Sequence, residues 1–193
     1  MKLIDLGLYS GTLWADCNLG STEENLIGAF YRFGDKTPFK ATSSKYKVGI
    51  TERLGISTTP YDVVKHTLGG NFRMPTREDV VEIAGFCKIK WEEINCYGGY
   101  RLTGPNGNSI FFPVIDPEGF EALMWPNGER YKGVQGRYWT SLLSPRNFAF
   151  SLMFTKDSKI PVWYMRYERN YGALIRPVAD RSWHHCMEAN TRM

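Results

Sequence analysis

The sequence predicts an α+β fold built on antiparallel sheets, and three observations carry that prediction. Turn-punctuated apolar segments with strand character open and close the chain. Two capped helical segments stand together in its first half. No strand–helix–strand alternation, the pattern of a parallel sheet, occurs anywhere. Aromatic residues at 15% and nineteen scattered glycines suit a turn-rich fold of short strands. Apolar content of 42% with 23% charge excludes disordered and fibrous classes. A length of 193 residues fits one domain, expected over residues 1–180, with 181–193 as a C-terminal tail.

The elements follow in order. Residues 3–14, LIDLGLYSGTLW, place apolar residues at Leu6, Leu8 and Leu13 around a Ser10-Gly11 turn, which reads as two short strands. Residues 16–58 are polar and glycine-punctuated, an expected loop region tied down by Phe30, Tyr31 and Phe33. Thr59-Pro60-Tyr61-Asp62 offers an N-cap threonine, proline at the first helical position and an acid at the third. That short helix should end at Gly69-Gly70. Thr76-Arg77-Glu78-Asp79 repeats the capping logic for a helix over Arg77 to Phe86, with Val80, Ile83, Ala84 and Cys87 on its inward face. From Tyr100, YRLTGPNGNSIFFPV reads as a hairpin about a Gly-Pro-Asn-Gly turn. Residues 116–135 are a Gly/Pro-rich loop carrying Trp125. Residues 136–180 then read as a strand, a polar loop, a strand, a turn with Pro161, an aromatic-basic strand and a closing strand. Within FAFSLMF, Ala149 and Leu152 are expected inward, while the mixed run leaves Phe150 and Met153 undecided.

The chemistry concentrates late. Trp163, Tyr164, Arg166, Tyr167, Arg169 and Tyr171 fall within nine positions and cannot all face one core. Aromatic residues and arginine dominate the energetic centres of binding surfaces. With the preceding loop they give the candidate ligand-binding set Arg146, Asn147, Phe148, Trp163, Tyr164, Arg166, Tyr167, Arg169, Asn170 and Tyr171. The competing reading is a wet aromatic edge or an oligomer interface. Charge follows the same division: from Glu129 onward eleven Lys/Arg meet five Asp/Glu, a net +6, which leaves −2 for residues 1–128. That favours an anionic partner. No dense basic run or nucleic-acid motif is present, so nucleic acid is disfavoured. Trp139 is expected in the core, and Arg73 and Arg176 are expected to serve carbonyls or a carboxylate.

No catalytic residue, metal site or cofactor is assigned. Cys17, Cys87, Cys96 and Cys186 are far apart and form no C-x-x-C pair, so free thiols are expected, a Cys87–Cys96 bridge being the one alternative. Asn147, Asp157, Glu168 and Asn170 are too scattered among cations for calcium. His184-His185-Cys186 is a contiguous trio without a folded clamp, and His66 on the first helix reads as packed or solvated. The opening MKLIDLGLYSG is interrupted by Asp5 and Gly7 before a signal-type apolar run forms, and no stretch approaches a membrane span.

Six segments in order, DLGLYSGTLWADCNLGS (5–21), FGDKTP (33–38), GGNFRMPTREDVVEI (69–83), YRLTGPNGNSIFFP (100–113), GRYWTSLL (136–143) and IRPVAD (175–180), resemble the Fibrobacter major paralogous domain of Fibrobacter and Bacteroides proteins. That family is similar to the C-type-lectin-like fold of formylglycine-generating enzymes and of retroelement-diversified phage receptor-binding proteins. The resemblance implies a C-type-lectin-like fold whose first and last strands pair, bringing Leu6 to Trp14 beside Ala173 to Val178. It implies ligand contact from Ser144 to Phe148 and Trp163 to Tyr171, with Ala149, Leu152 and Phe154 as inward scaffold. Phe33-Gly34-Asp35 and Tyr138-Trp139-Thr140-Ser141-Leu142 depart from the family's usual aromatic-Trp-Gly-Glu and Tyr-Trp-Ser-Ser-Thr.

Together these readings give a non-enzymatic recognition module. The expected ligand is a host-surface glycan or protein. The expected setting is a virion of a phage of Bacteroides-like hosts, as a fibre or capsid component assembled in the host cytoplasm beside other virion proteins, or otherwise the cytoplasm, and not inserted in a membrane. The alternative is a structural protein whose aromatic surface is a subunit interface, in a homo-oligomer or with neighbours. An enzyme of the formylglycine-generating type would need paired reactive cysteines late in the chain, where only Cys186 lies.

Overall fold

The structure is a computed structural model that describes residues 1–23, 25–39, 48–94, 97–114, 135–156 and 162–181. The expected loop with Trp125, the turn at Pro161, Cys96, Cys186 and the tail from residue 182 lie outside the described residues. Within them the architecture is mostly antiparallel sheet with two helices, α1 (Val63–Leu68) and α2 (Arg77–Phe86). Ten strands follow in chain order: β1 (Leu3–Asp5), β2 (Leu13–Ala15), β3 (Phe72–Arg73), β4 (Lys88–Ile94), β5 (Tyr97–Thr103), β6 (Ser109–Pro113), β7 (Gln135–Leu143), β8 (Phe148–Thr155), β9 (Val162–Glu168) and β10 (Val178–Ala179). They form three sheets with orders β1-β2-β10-β3, β4-β5-β6 and β7-β8-β9.

The two ends of the fold meet in the first sheet. β10 lies between β2 and β3, with Val178 opposite Trp14 on one side and Arg73 on the other. The zipper continues beyond the strands, since Ala15 and Leu19 donate their N–H groups to Pro177 O and Ile175 O, each at 2.9 Å. Residues 16–58 hold no helix or long strand among the described residues, and Tyr31 and Phe33 are buried anchors within them.

Helix α1 begins later than the sequence suggested. Thr59 and Pro60 occupy a turn, and the N-cap is Asp62, whose carboxylate accepts from the N–H groups of Val64 and Lys65 and also from Thr58 and Met74. Thr59 cannot compete with a buried carboxylate that satisfies four backbone donors. The helix ends at Gly69, whose φ of +66° suits a glycine. Helix α2 has the expected span and a full Thr76–Asp79 capping box. Its inward face is rotated from expectation: Asp79, Val80 and Ile83 are buried, whereas Ala84 is exposed. The cause is Asp79, drawn inward to a buried arginine described below. Strand β4, with the sequence Lys-Ile-Lys-Trp-Glu-Glu-Ile, was not anticipated.

Adjacent residues of a strand point to opposite faces. Tyr138 and Trp139 of β7 therefore enter two different cores. One contains Leu6, Trp14, Val80, Ile83, Leu102, Phe112, Tyr138, Leu152 and Phe154. The other contains Phe33, Ile56, Val64, Met74, Trp139, Ala149 and Tyr167. Trp139 is fully buried, as expected, and its indole donates to Tyr31 O at 2.7 Å. The β7-β8-β9 sheet is thus held from both faces. That packing fixes which part of it remains for solvent.

Candidate recognition surface

The register of β8 and β9 sorts the candidate residues. Phe148 pairs with Glu168, Phe150 with Arg166 and Leu152 with Tyr164, so these six side chains share one face. Ala149 pairs with Tyr167 and Ser151 with Met165 on the other. On the first face Leu152 and Phe154 enter the core, while Phe148, Phe150 and Tyr164 are only partly buried and Arg166 is exposed. The Phe150 and Tyr164 rings stack at 4.8 Å with an interplanar angle of 3°. Arg166 lies on the other side, its guanidinium 6.0 Å from the Phe148 ring. Tyr164, Phe150, Arg166 and Phe148 therefore interleave across the two strands as a ladder of flat groups. A cation over a ring contributes about 0.5–1 kcal/mol at such exposed sites, enough to order the arginine without removing it from water.

The Tyr164 hydroxyl is buried without a hydrogen-bond partner. Thr140 lies beside it and donates its own hydroxyl to Phe150 O at 2.9 Å. Burial pushes the phenol up to about 12, against the smaller opposing influence of Thr140 and Arg77. The ring is neutral at any physiological pH.

Beside the ladder the Ser144–Phe148 loop carries two further candidates, Arg146 and Asn147, both exposed. Arg146 has φ of +63°, a left-handed conformation that costs a non-glycine residue about 1–2 kcal/mol. The loop keeps that shape because Arg169 clamps it: Nε donates to Phe148 O at 2.8 Å and Nη2 to Ser144 O at 2.9 Å. Arg169 N–H also donates to Asn147 O at 2.8 Å.

Several sequence candidates lie away from this ladder. Tyr167 is 6% exposed and belongs to the second core, under the Arg137 guanidinium at 4.4 Å. Arg169 donates its Nε and Nη2 to backbone carbonyls of the loop. Tyr171 packs on Tyr167 with ring centroids 5.5 Å apart. Asn170 is exposed, and its carbonyl accepts from Arg32 Nε at 3.0 Å. Trp163 stands opposite Met153 in β9, and its side chain lies outside the described residues. Phe150 is the member the candidate set omitted. The signal for it was its place two residues after Phe148 in FAFSLMF, on the same face of a strand.

Elsewhere Cys17 and Cys87 are free thiols. Burial first, and then Glu82, push the Cys87 thiol up to about 11, which makes it a poor nucleophile at neutral pH. Among the described residues no three His, Cys, Asp or Glu side chains gather as a metal site, and no helix is long and apolar enough to cross a membrane.

Comparison of the chain with protein-family models, with curated proteins and with solved structures finds no match.

Proposed function

We propose that this chain is a non-enzymatic recognition module of C-type-lectin-like architecture, binding an anionic host-surface glycan or protein through the β8–β9 face. The observation that carries the reading is the Tyr164–Phe150–Arg166–Phe148 ladder. Its rings are held half-exposed by strands whose far ends are locked in the core, with Arg166 open to solvent. Rigid aromatic area beside a fixed cation lowers the entropy lost on binding. Arg146 and Asn147 border the ladder on a loop whose shape Arg169 sets. The pairing of β10 with β2 and the late three-stranded sheet support the lectin-like architecture that the ordered segments imply. By the same resemblance the proposed setting is a phage virion of a Bacteroides-like host, as a fibre or capsid component.

The test is binding of the purified protein to a glycan array and to intact Bacteroides-type cells, beside a Phe150→Ala/Arg166→Ala double variant whose fold is verified by circular dichroism. Loss of two contacts worth about 1 kcal/mol or more each should weaken binding roughly tenfold or more. Equal binding by parent and variant overturns the assignment of the face. Absence of any binding overturns recognition.

A further inference from the structure

We propose that the outer edge of β9 pairs antiparallel with the same edge of a second copy, joining two three-stranded sheets into one. Arg169 N–H donates to Asn147 O, in register with the β8–β9 ladder, so the odd residues of β9 turn their N–H and C=O groups toward β8. The far side of the sheet gives the same phase. Trp139 N–H donates to Leu174 O and Leu174 N–H to Arg137 O, so the odd residues of β7 face away from β8. The even residues of β8 therefore pair with β7, and its odd residues pair with β9. In β9 it follows that Tyr164 and Arg166 aim their backbone groups outward, where they have no backbone partner among the described residues.

The edge strands of this fold are protected unequally. β7 is covered through Leu174, Pro75 and Leu54, which take up its outward groups. β4 carries Lys88, Lys90, Glu92 and Glu93 within seven residues, the charge pattern that discourages strand addition. β9 is equally long but carries only Arg166 and Glu168, without proline or bulge. It is a continuous, lightly charged edge of the kind that accepts another strand.

Its own sequence names the occupant. Two copies of β9 overlap over the whole strand in the register centred on Met165. That register brings Tyr164 of each copy opposite Arg166 of the other, a favourable cross-strand pair made twice by symmetry. It also joins the outward backbone groups of Tyr164 to those of Arg166 in the second copy. Sliding by two residues in one direction sets Arg166 opposite Arg166, a like-charge contact. Sliding by two in the other sets Tyr164 opposite Tyr164, and either slide shortens the overlap within the seven-residue strand. A shift of one residue puts the backbone groups out of phase. The symmetric register is therefore the favoured one. It would place both ladders side by side on one face of a continuous sheet.

The test needs no ligand and so is separate from the recognition reading. Sedimentation of the parent at increasing concentration should show twice the mass of one chain. Arg166→Pro removes an outward N–H and leaves the β8 ladder intact, so it should give a folded monomer. Met165→Cys sits on the two-fold axis at a non-hydrogen-bonded pair, where Cα atoms are about 4.5 Å apart, within disulfide reach. Mild oxidation should cross-link it, and mass spectrometry of the linked peptides should place the bond at position 165 in both copies. A parent that stays monomeric at the highest attainable concentration overturns the proposal. So does a dimer that survives Arg166→Pro with its fold intact, or a Met165→Cys dimer that does not cross-link at that position.

Discussion

Asp79 shows how one side chain can set a helix, a sheet edge and a pH response together. Its carboxylate accepts from the Thr76 N–H and hydroxyl, from the Thr12 hydroxyl and from both terminal nitrogens of Arg73. Arg73 reaches Asp180 with its remaining donors, at 2.7 Å and 3.0 Å. Burial alone would raise the Asp79 carboxyl. The hydrogen bonds and charge of Arg73, with Thr76, outweigh it and hold the group below its ordinary value of 3.8. A carboxyl depressed in the folded state contributes stability that is fully present above its unfolded value and is lost as pH falls through the folded one. Asp79→Asn should therefore cost about 3 kcal/mol near neutral pH, because a buried Arg73 loses its inner partner. The gap between parent and variant in urea unfolding should narrow as pH falls below 4. A gap independent of pH would show that the charge of Asp79 is not what stabilises the fold.

At the scale of elements, the β5–β6 hairpin shows what a glycine can specify. Gly104 opens its turn at a point where an added Cβ would stand 2.0 Å from Leu6 O and 2.8 Å from the Leu6 Cβ. The neighbour is backbone of the first core and cannot swing aside. On the other side Asn106 and Asn108 donate to Asp5 O at 2.9 Å and 2.8 Å, drawing the turn onto the N-terminal segment. Gly104→Ala should separate these elements and cost about 3 kcal/mol, the upper end for overpacking. Chemical denaturation measures it, with Gly107→Ala as the control, since no atom lies within 4 Å of a Cβ there and only its φ of +86° opposes the change. Gly104 has no such φ, so a Gly104→Ala loss no larger than that of Gly107→Ala would show that the Leu6 contact does not decide the packing. The hairpin was legible because Gly-Pro-Asn-Gly interrupts two apolar runs. Strand β4 was not, because its alternation of Lys88, Lys90, Glu92 and Glu93 with Ile89 and Trp91 resembles a solvated face until Arg101 and Glu92 pair across the sheet at 2.7 Å. Helix α2 was legible to its ends from Thr76 and Asp79, but its rotation was not: Arg73, six residues before Asp79, draws that carboxylate inward, and Arg73 is itself held by Asp180, 107 residues away.

For the whole molecule the governing residue is Arg176, 1% exposed and without an ion pair among the described residues. It lies between β9 and β10 and reaches three places at once. Nη1 donates to Ala15 O at 3.1 Å, Nη2 donates to Phe111 O at 2.6 Å, and the guanidinium lies 4.7 Å from the Phe112 ring. Ala15 belongs to β2 and Phe111 to β6, so one side chain from the closing segment ties two sheets together. The sequence left this arginine to serve carbonyls or a carboxylate, and the structure gives it carbonyls. The sequence could not show which, because both partners are far away in the chain. The same limit explains the ladder: aromatic and basic residues between Phe148 and Tyr171 were visible as a group, but only register separates exposed Arg166 from buried Tyr167. Arg176→Met keeps the length and apolar stem of the side chain while orphaning an acceptor on each sheet. An unsatisfied buried carbonyl costs about 1–3 kcal/mol, so the variant should lose about 3 kcal/mol. For a chain of this size that is roughly 6–12 °C in Tm. Since both cores share the β7-β8-β9 sheet, the loss should appear as one displaced transition, seen alike by tryptophan fluorescence and far-ultraviolet circular dichroism. A transition that splits between the two probes would mean that the cores unfold separately and that Arg176 serves only one of them.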